Sequence, residues 1–130
     1  MSAAFCRVPL VVCKAQANNQ RYKTMDGFFV YILECAGNRF YTGYSRDARR
    51  RYRQHCRGQA RCRFTAAFPP IHPSACWRVP GSRSQAMRLE RWLQAQSRLQ
   101  KEELIRTPAK LALIFPELNL QIEAVGEWSR

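Results

Sequence analysis

Acidic residues are scarce in this chain of 130 residues: nine aspartates and glutamates face 22 lysines and arginines, giving a net charge of +13 and an isoelectric point near 10.3. That imbalance calls for a polyanionic partner, nucleic acid first and an anionic membrane second. Long apolar runs are missing too. The longest candidate, 28–33, falls far short of the roughly eighteen residues that a membrane span needs. The N-terminal stretch lacks a basic leader region, and Arg7 and Pro9 interrupt its apolar part, so a secretory signal is not expected. The expectation is a soluble intracellular protein, cytoplasmic and nucleoid-associated if bacterial, nuclear if eukaryotic. Six cysteines are present (Cys6, Cys13, Cys35, Cys56, Cys62, Cys76), but no pair has Cys-x-x-Cys spacing, and reduced structural thiols are expected. A zinc site from Cys56, Cys62, His72 and Cys76 would match none of the common zinc modules.

What is present is arginine, and it is concentrated. Residues 39–63 hold nine arginines against one acid, Asp47. The planar guanidinium fork matches phosphate bidentately, and Phe40, Tyr52 and Phe64 interleave with the charges, which reads as a nucleic-acid surface rather than a solvated helix face. Arg46, Arg50, Arg53, Arg57, Arg61 and Arg63 are the candidate contacts, with Gly43 and, further along, Lys101. Just ahead of them, two β-prone runs, 28–33 and 40–43, bracket the turn Cys35-Ala36-Gly37-Asn38 and predict a hairpin carrying Tyr31 and Tyr41. Ser45 or Asp47 caps the next helix, Ala48, Tyr52 and Cys56 recur at helical spacing, and Gly58 stops it. Arg51 and His55, four apart, stack on one helix face. A hairpin that delivers two phenols and then Arg51 to one place suits a phosphodiester guest.

The length is that of one domain, enough to bury roughly two thirds of the unfolded surface. Residues 1–26 read as a flexible N-terminal extension, with Met25 as a candidate start for a shorter product, and the folded domain spans 27–106. Between 59 and 81, Phe64–Phe68 forms a short helix or a turn, Pro69, Pro70 and Pro73 break the chain, and Cys76–Val79 is a third strand. Ser82-x-x-Gln85 is a capping box for a second long helix with the apolar stripe Ala86, Leu89 and Leu93. Glu90 falls within that stripe, where a carboxylate is either paired with Arg51 or another arginine, or faces a cleft. Ser97 caps a further helix ended by Thr107-Pro108. In the C-terminal extension, 107–130, the apolar segments 111–115 and 118–125 either add strands or cover the core.

Taken together, Val30-Tyr31-Ile32-Leu33, Tyr41-Thr42-Gly43, Asp47 with Arg50-Arg51 and His55, Arg63-Phe64-Thr65, and Ser84-Gln85-Ala86 followed by Glu90 resemble the GIY-YIG nucleases over about residues 27–106. The likeness is to the small single-domain YhbQ-like group and to the nuclease domain of the eukaryotic structure-specific endonuclease subunit. It implies an α/β (α+β) fold with a small three-stranded antiparallel sheet flanked by helices. It also implies a metal-dependent endonuclease that hydrolyses phosphodiester bonds in single-stranded or branched DNA, in repair or recombination. By the same resemblance Glu90 would ligate Mg²⁺ or Mn²⁺, Arg51 would clamp the scissile phosphate, and Tyr31 or Tyr41 would deprotonate or orient the attacking water. Because a free phenol titrates near 10, the first of those roles needs Arg51 or the metal to favour phenolate. His55 would assist proton transfer or contact the phosphate, and Gly43 would let the backbone approach closely. A protein partner for targeting is expected for so small a nuclease. Phe64 in place of tyrosine, Gln94 in place of a common lysine, and the proline-rich stretch 66–76 depart from the group and bear on substrate choice. The alternative is a non-catalytic DNA- or RNA-binding module that keeps the fold and the basic face.

Overall fold

The computed structural model describes residues 27–130; the N-terminal extension and Met25 lie outside them. Strand β1 (Phe28–Cys35) runs back into β2 (Arg39–Ser45) through Gly37 and Asn38, both left-handed at φ 76° and 60°. Gly and Asn are the residues that adopt this conformation most readily. On its other side β1 pairs antiparallel with β3 (Pro70–Val79), longer than the expected Cys76–Val79. Pro70 and Pro73 fit because the outer edge of that half of β3 carries no strand, so a missing N–H costs no ladder bond there. Register shifts at Ile32/Leu33 and Glu34/Cys35 absorb the irregularity.

The sheet has four strands, which corrects the expected three. Its order is β2-β1-β3-β4, and β4 (Gln121–Glu123) comes from the C-terminal segment, pairing with residues 76–78 of β3. Without it that stretch of β3 would be an open edge. The helices are α1 (Ala48–Cys56), α2 (Arg63–Ala67), α3 (Arg83–Gln94), α4 (Arg98–Arg106) and α5 (Ala109–Ile114). Asp47 caps α1 by accepting from the Arg50 N–H, and α3 and α4 each open with a complete capping box, Ser82/Gln85 and Ser97/Gln100. The segment 111–115, open between strand and cover, is helical and buries Leu111 and Phe115.

Alternation along β1 sorts the core into two layers. Val30 and Ile32 face one side, where Trp77, Ala86, Leu89, Leu93 and Leu111 bury them. Tyr31, Leu33 and Cys35 face the other, against Ala48 and Tyr52 of α1. The indole N–H of Trp77 donates to the Pro108 carbonyl at 2.9 Å, which pins the C-terminal segment over the first layer. On the second, the Trp128 ring lies 5.8 Å from that of Tyr52.

Candidate active site

Register places the two phenols. Tyr31 lies opposite Gly43 and Leu33 opposite Tyr41, so both tyrosines project from the sheet face that carries α1. Gly43 between them is a matter of space. A Cβ there would stand 2.8 Å from Tyr31 Oη and 3.0 Å from Tyr41 Cε2, so it is the Tyr31 ring that approaches the backbone. Arg51, on the first turn of α1, donates to Gln54 Oε1 at 3.0 Å and to the Ala60 carbonyl at 3.1 Å, and its charge acts on the Tyr31 phenol. Its guanidinium is therefore held in place before any ligand arrives.

Glu90 comes from α3, packed on the opposite face. Tyr31, Tyr41, Arg51 and Glu90 nonetheless line one cavity of about 570 Å³, which runs past the edge strand β2, since Tyr41 and Tyr44 of that strand point to opposite faces and both line it. Glu90 forms no ion pair among the described residues, and Arg51 is committed elsewhere, so of the two sequence readings the carboxylate takes the cleft. Burial raises its pKa, with Arg91 only partly offsetting this.

His55 does not line the cavity. It is buried behind Tyr31 at 1% exposure, its Nε2 3.3 Å from Tyr31 Oη and its Nδ1 2.8 Å from Thr65 Oγ1. A contact with phosphate is closed to it. Desolvation, then the Arg51 charge, lowers its pKa to about 4, so it is neutral near pH 7. Burial pushes both phenols well above the ordinary tyrosine value, and Arg51 only partly opposes this. Neither phenol is ionised in the free protein at neutral pH, and of the two roles open to a tyrosine, orienting water matches this electrostatics.

Of the other expected contacts, Arg46 and Arg50 line the cavity, whereas Arg53, Arg57, Arg61, Arg63 and Lys101 lie outside its lining. Arg83, Gln54 and Phe28 line it without having been singled out. Arg83 had a signal: it lies two helical turns before Glu90, hence on the same face of α3. Phe28 holds Arg46 and Arg83 over its ring at 4.9 and 5.9 Å. Cys35, Cys56, Cys62 and Cys76 are free thiols, and His72 pairs with Glu34 at 3.2 Å.

The GIY-YIG catalytic domain matches residues 27–103, which contain every group around the cavity. The chain belongs to the GIY-YIG family. Within it the chain is similar to a UPF0213 protein of Halalkalibacterium halodurans, 39% identical over 77 residues that cover 59% of this chain and 80% of the relative. It is also similar to UPF0213 proteins of Staphylococcus aureus strains, 33% identical over 82 residues that cover 63% of this chain and 98% of theirs. These relatives place it in the small single-domain, YhbQ-like group. No solved structure matches significantly. GIY-YIG membership makes nucleic acid the substrate class and nuclease activity the reading to develop, and β4 lies outside the matched segment. Among the described residues no helix is long and apolar enough to cross a membrane.

A divalent metal is the group such domains use, and the residues can be tested for it. Among the described residues no cluster of three or more His, Cys, Asp or Glu could cage an ion. Asp47 also lines the cavity but caps α1, and Glu90, half-buried and without an ion pair among the described residues, fits a different mode, that of Mg²⁺ or Mn²⁺, which take one or two carboxylates and keep several waters.

Proposed function

We propose that this protein is a metal-dependent endonuclease that hydrolyses phosphodiester bonds in DNA, single-stranded or branched, and serves repair or recombination. One observation carries the reading: Tyr31, Tyr41, Arg51 and an unpaired Glu90, drawn from four elements on both faces of the sheet, line one cavity. Arg46, Arg50 and Arg83 on its wall supply the charge that draws in a phosphate backbone. Arg51, oriented by Gln54 and Ala60, binds the scissile phosphate and offsets the charge that grows on its oxygens during attack. Tyr31 and Tyr41, un-ionised, orient a water within reach of that phosphate. Glu90 would hold Mg²⁺ or Mn²⁺, which would supply Lewis-acid stabilisation of the charge that develops on the phosphate. A targeting partner fits so small a domain.

The test is cleavage of labelled flap and single-stranded oligonucleotides with Mg²⁺ or Mn²⁺, wild type against Glu90→Ala. The expected outcome is product from wild type and a loss of about a thousandfold or more in the variant, as when a principal charge-stabilising group is removed. Cleavage that survives Glu90→Ala defeats the proposal, and tight salt-sensitive binding without product assigns the fold to the binding module instead.

A further inference from the structure

We propose that Thr65 is a positioning residue of this site: it holds His55 as the Nδ1–H tautomer, so that Tyr31 donates its proton inward to His55 Nε2 and turns its oxygen lone pairs to the cavity. The catalytic consequence rests on the nuclease reading; the hydrogen-bond order does not.

Tyr31, His55 and Thr65 are 1%, 1% and 3% exposed, and their contacts of 3.3 and 2.8 Å form one buried chain. A neutral imidazole has one donor and one acceptor nitrogen, so the groups at the two ends set its order. At the cavity end Tyr31 shares the lining with the Arg51 guanidinium, a positive group that can only donate and that favours the phenol's lone pairs on its side. Its single proton is then free to go to His55 Nε2. Nδ1 must carry the ring proton and give it to Thr65 Oγ1, whose own hydrogen continues to Cys62. Cys62, the residue that opens α2, marks that end: its sulfur lies near the Thr65 hydroxyl and the Tyr41 phenol. The reverse order would strip Cys62 of the Thr65 proton and aim the Tyr31 proton into the cavity.

With both phenol protons directed inward, Tyr31 to His55 and Tyr41 to Cys62, each oxygen is left to accept from a water on the cavity side. The tyrosines then orient the nucleophile without ionising. The Phe64 ring, 5.6 Å from Tyr41, closes the space beside this chain.

Nitrogen-15 NMR of His55 in the full chain decides the order. Wild type should show a protonated Nδ1 and an unprotonated Nε2 at neutral pH, with Thr65→Val shifting the ring toward the other tautomer and Thr65→Ser restoring it. A wild-type ring protonated at Nε2 overturns the proposal whether or not the protein cuts DNA. In the oligonucleotide assay kcat should fall about tenfold in Thr65→Val, the worth of one hydrogen bond, and recover in Thr65→Ser with KM unchanged. A Thr65→Val protein with a switched tautomer and full kcat overturns the positioning role. Absence of cleavage by wild type counts against the nuclease reading alone, since the NMR result still decides the tautomer.

Discussion

Gly43 carries no functional group, yet both phenols depend on it. In Gly43→Ala the new methyl would sit 2.8 Å from Tyr31 Oη and 2.9 Å from Cζ, and buried Tyr31 has nowhere to retreat without pressing on His55. Thermal unfolding should report a loss of about 1–3 kcal/mol, the usual cost of overpacking. Cleavage should fall further than stability explains, and a variant with wild-type kcat would show that the phenols tolerate displacement. The residues around the cavity were legible in the sequence to the extent that they obey a period. The hairpin pattern brought Tyr31 and Tyr41 to one place, and helical spacing stacked Arg51 with His55 and set Glu90 within the stripe of Ala86, Leu89 and Leu93. Thr65 and Cys62 obey no such rule. They meet His55 and Tyr41 only because α2 folds back against α1, a contact that no local pattern encodes.

Elements with capping chemistry could be read in advance. Ser82/Gln85 and Ser97/Gln100 are reciprocal local hydrogen bonds, so α3 and α4 begin where their sequences say. β3 and β4 could not, because each depends on its neighbour: the prolines of β3 are tolerated on an open edge, and β4 is a strand only because β3 offers it a ladder. That open half is not bare. The Arg130 guanidinium donates to the carbonyls of Ile71 and Pro70, both at 2.9 Å. Ile71 and Ile122, each about half exposed, flank the same region. Arg130→Ala should therefore leave thermal stability nearly unchanged but promote concentration-dependent self-association, read by analytical ultracentrifugation. A variant that stays monomeric at every concentration would mean that the prolines alone protect the edge.

For the molecule as a whole, the +13 charge predicts binding that weakens steeply with salt, and the cavity says which charges matter most. Arg83→Ala should weaken binding to single-stranded DNA of any sequence and flatten the plot of log affinity against log salt by about 0.7, one phosphate's share, while Arg57→Ala, outside the lining, changes it less. Equal slopes for the two variants would show that the polyanion does not follow the cavity. The overall architecture was legible except for its far edge, since a period-2 run of only three residues, Gln121–Glu123, is too short to announce a strand. The sequence positions of the cavity groups have a further consequence, in time. Tyr31, Tyr41 and Arg51 sit on one hairpin and the helix after it, contacts of short sequence separation that close quickly; Glu90 lies on α3, beyond β3, and joins them only through contacts of much longer sequence separation. On the nuclease reading, a chain leaving the ribosome would complete its phosphate-binding side before its carboxylate, and would be inert until α3 docks.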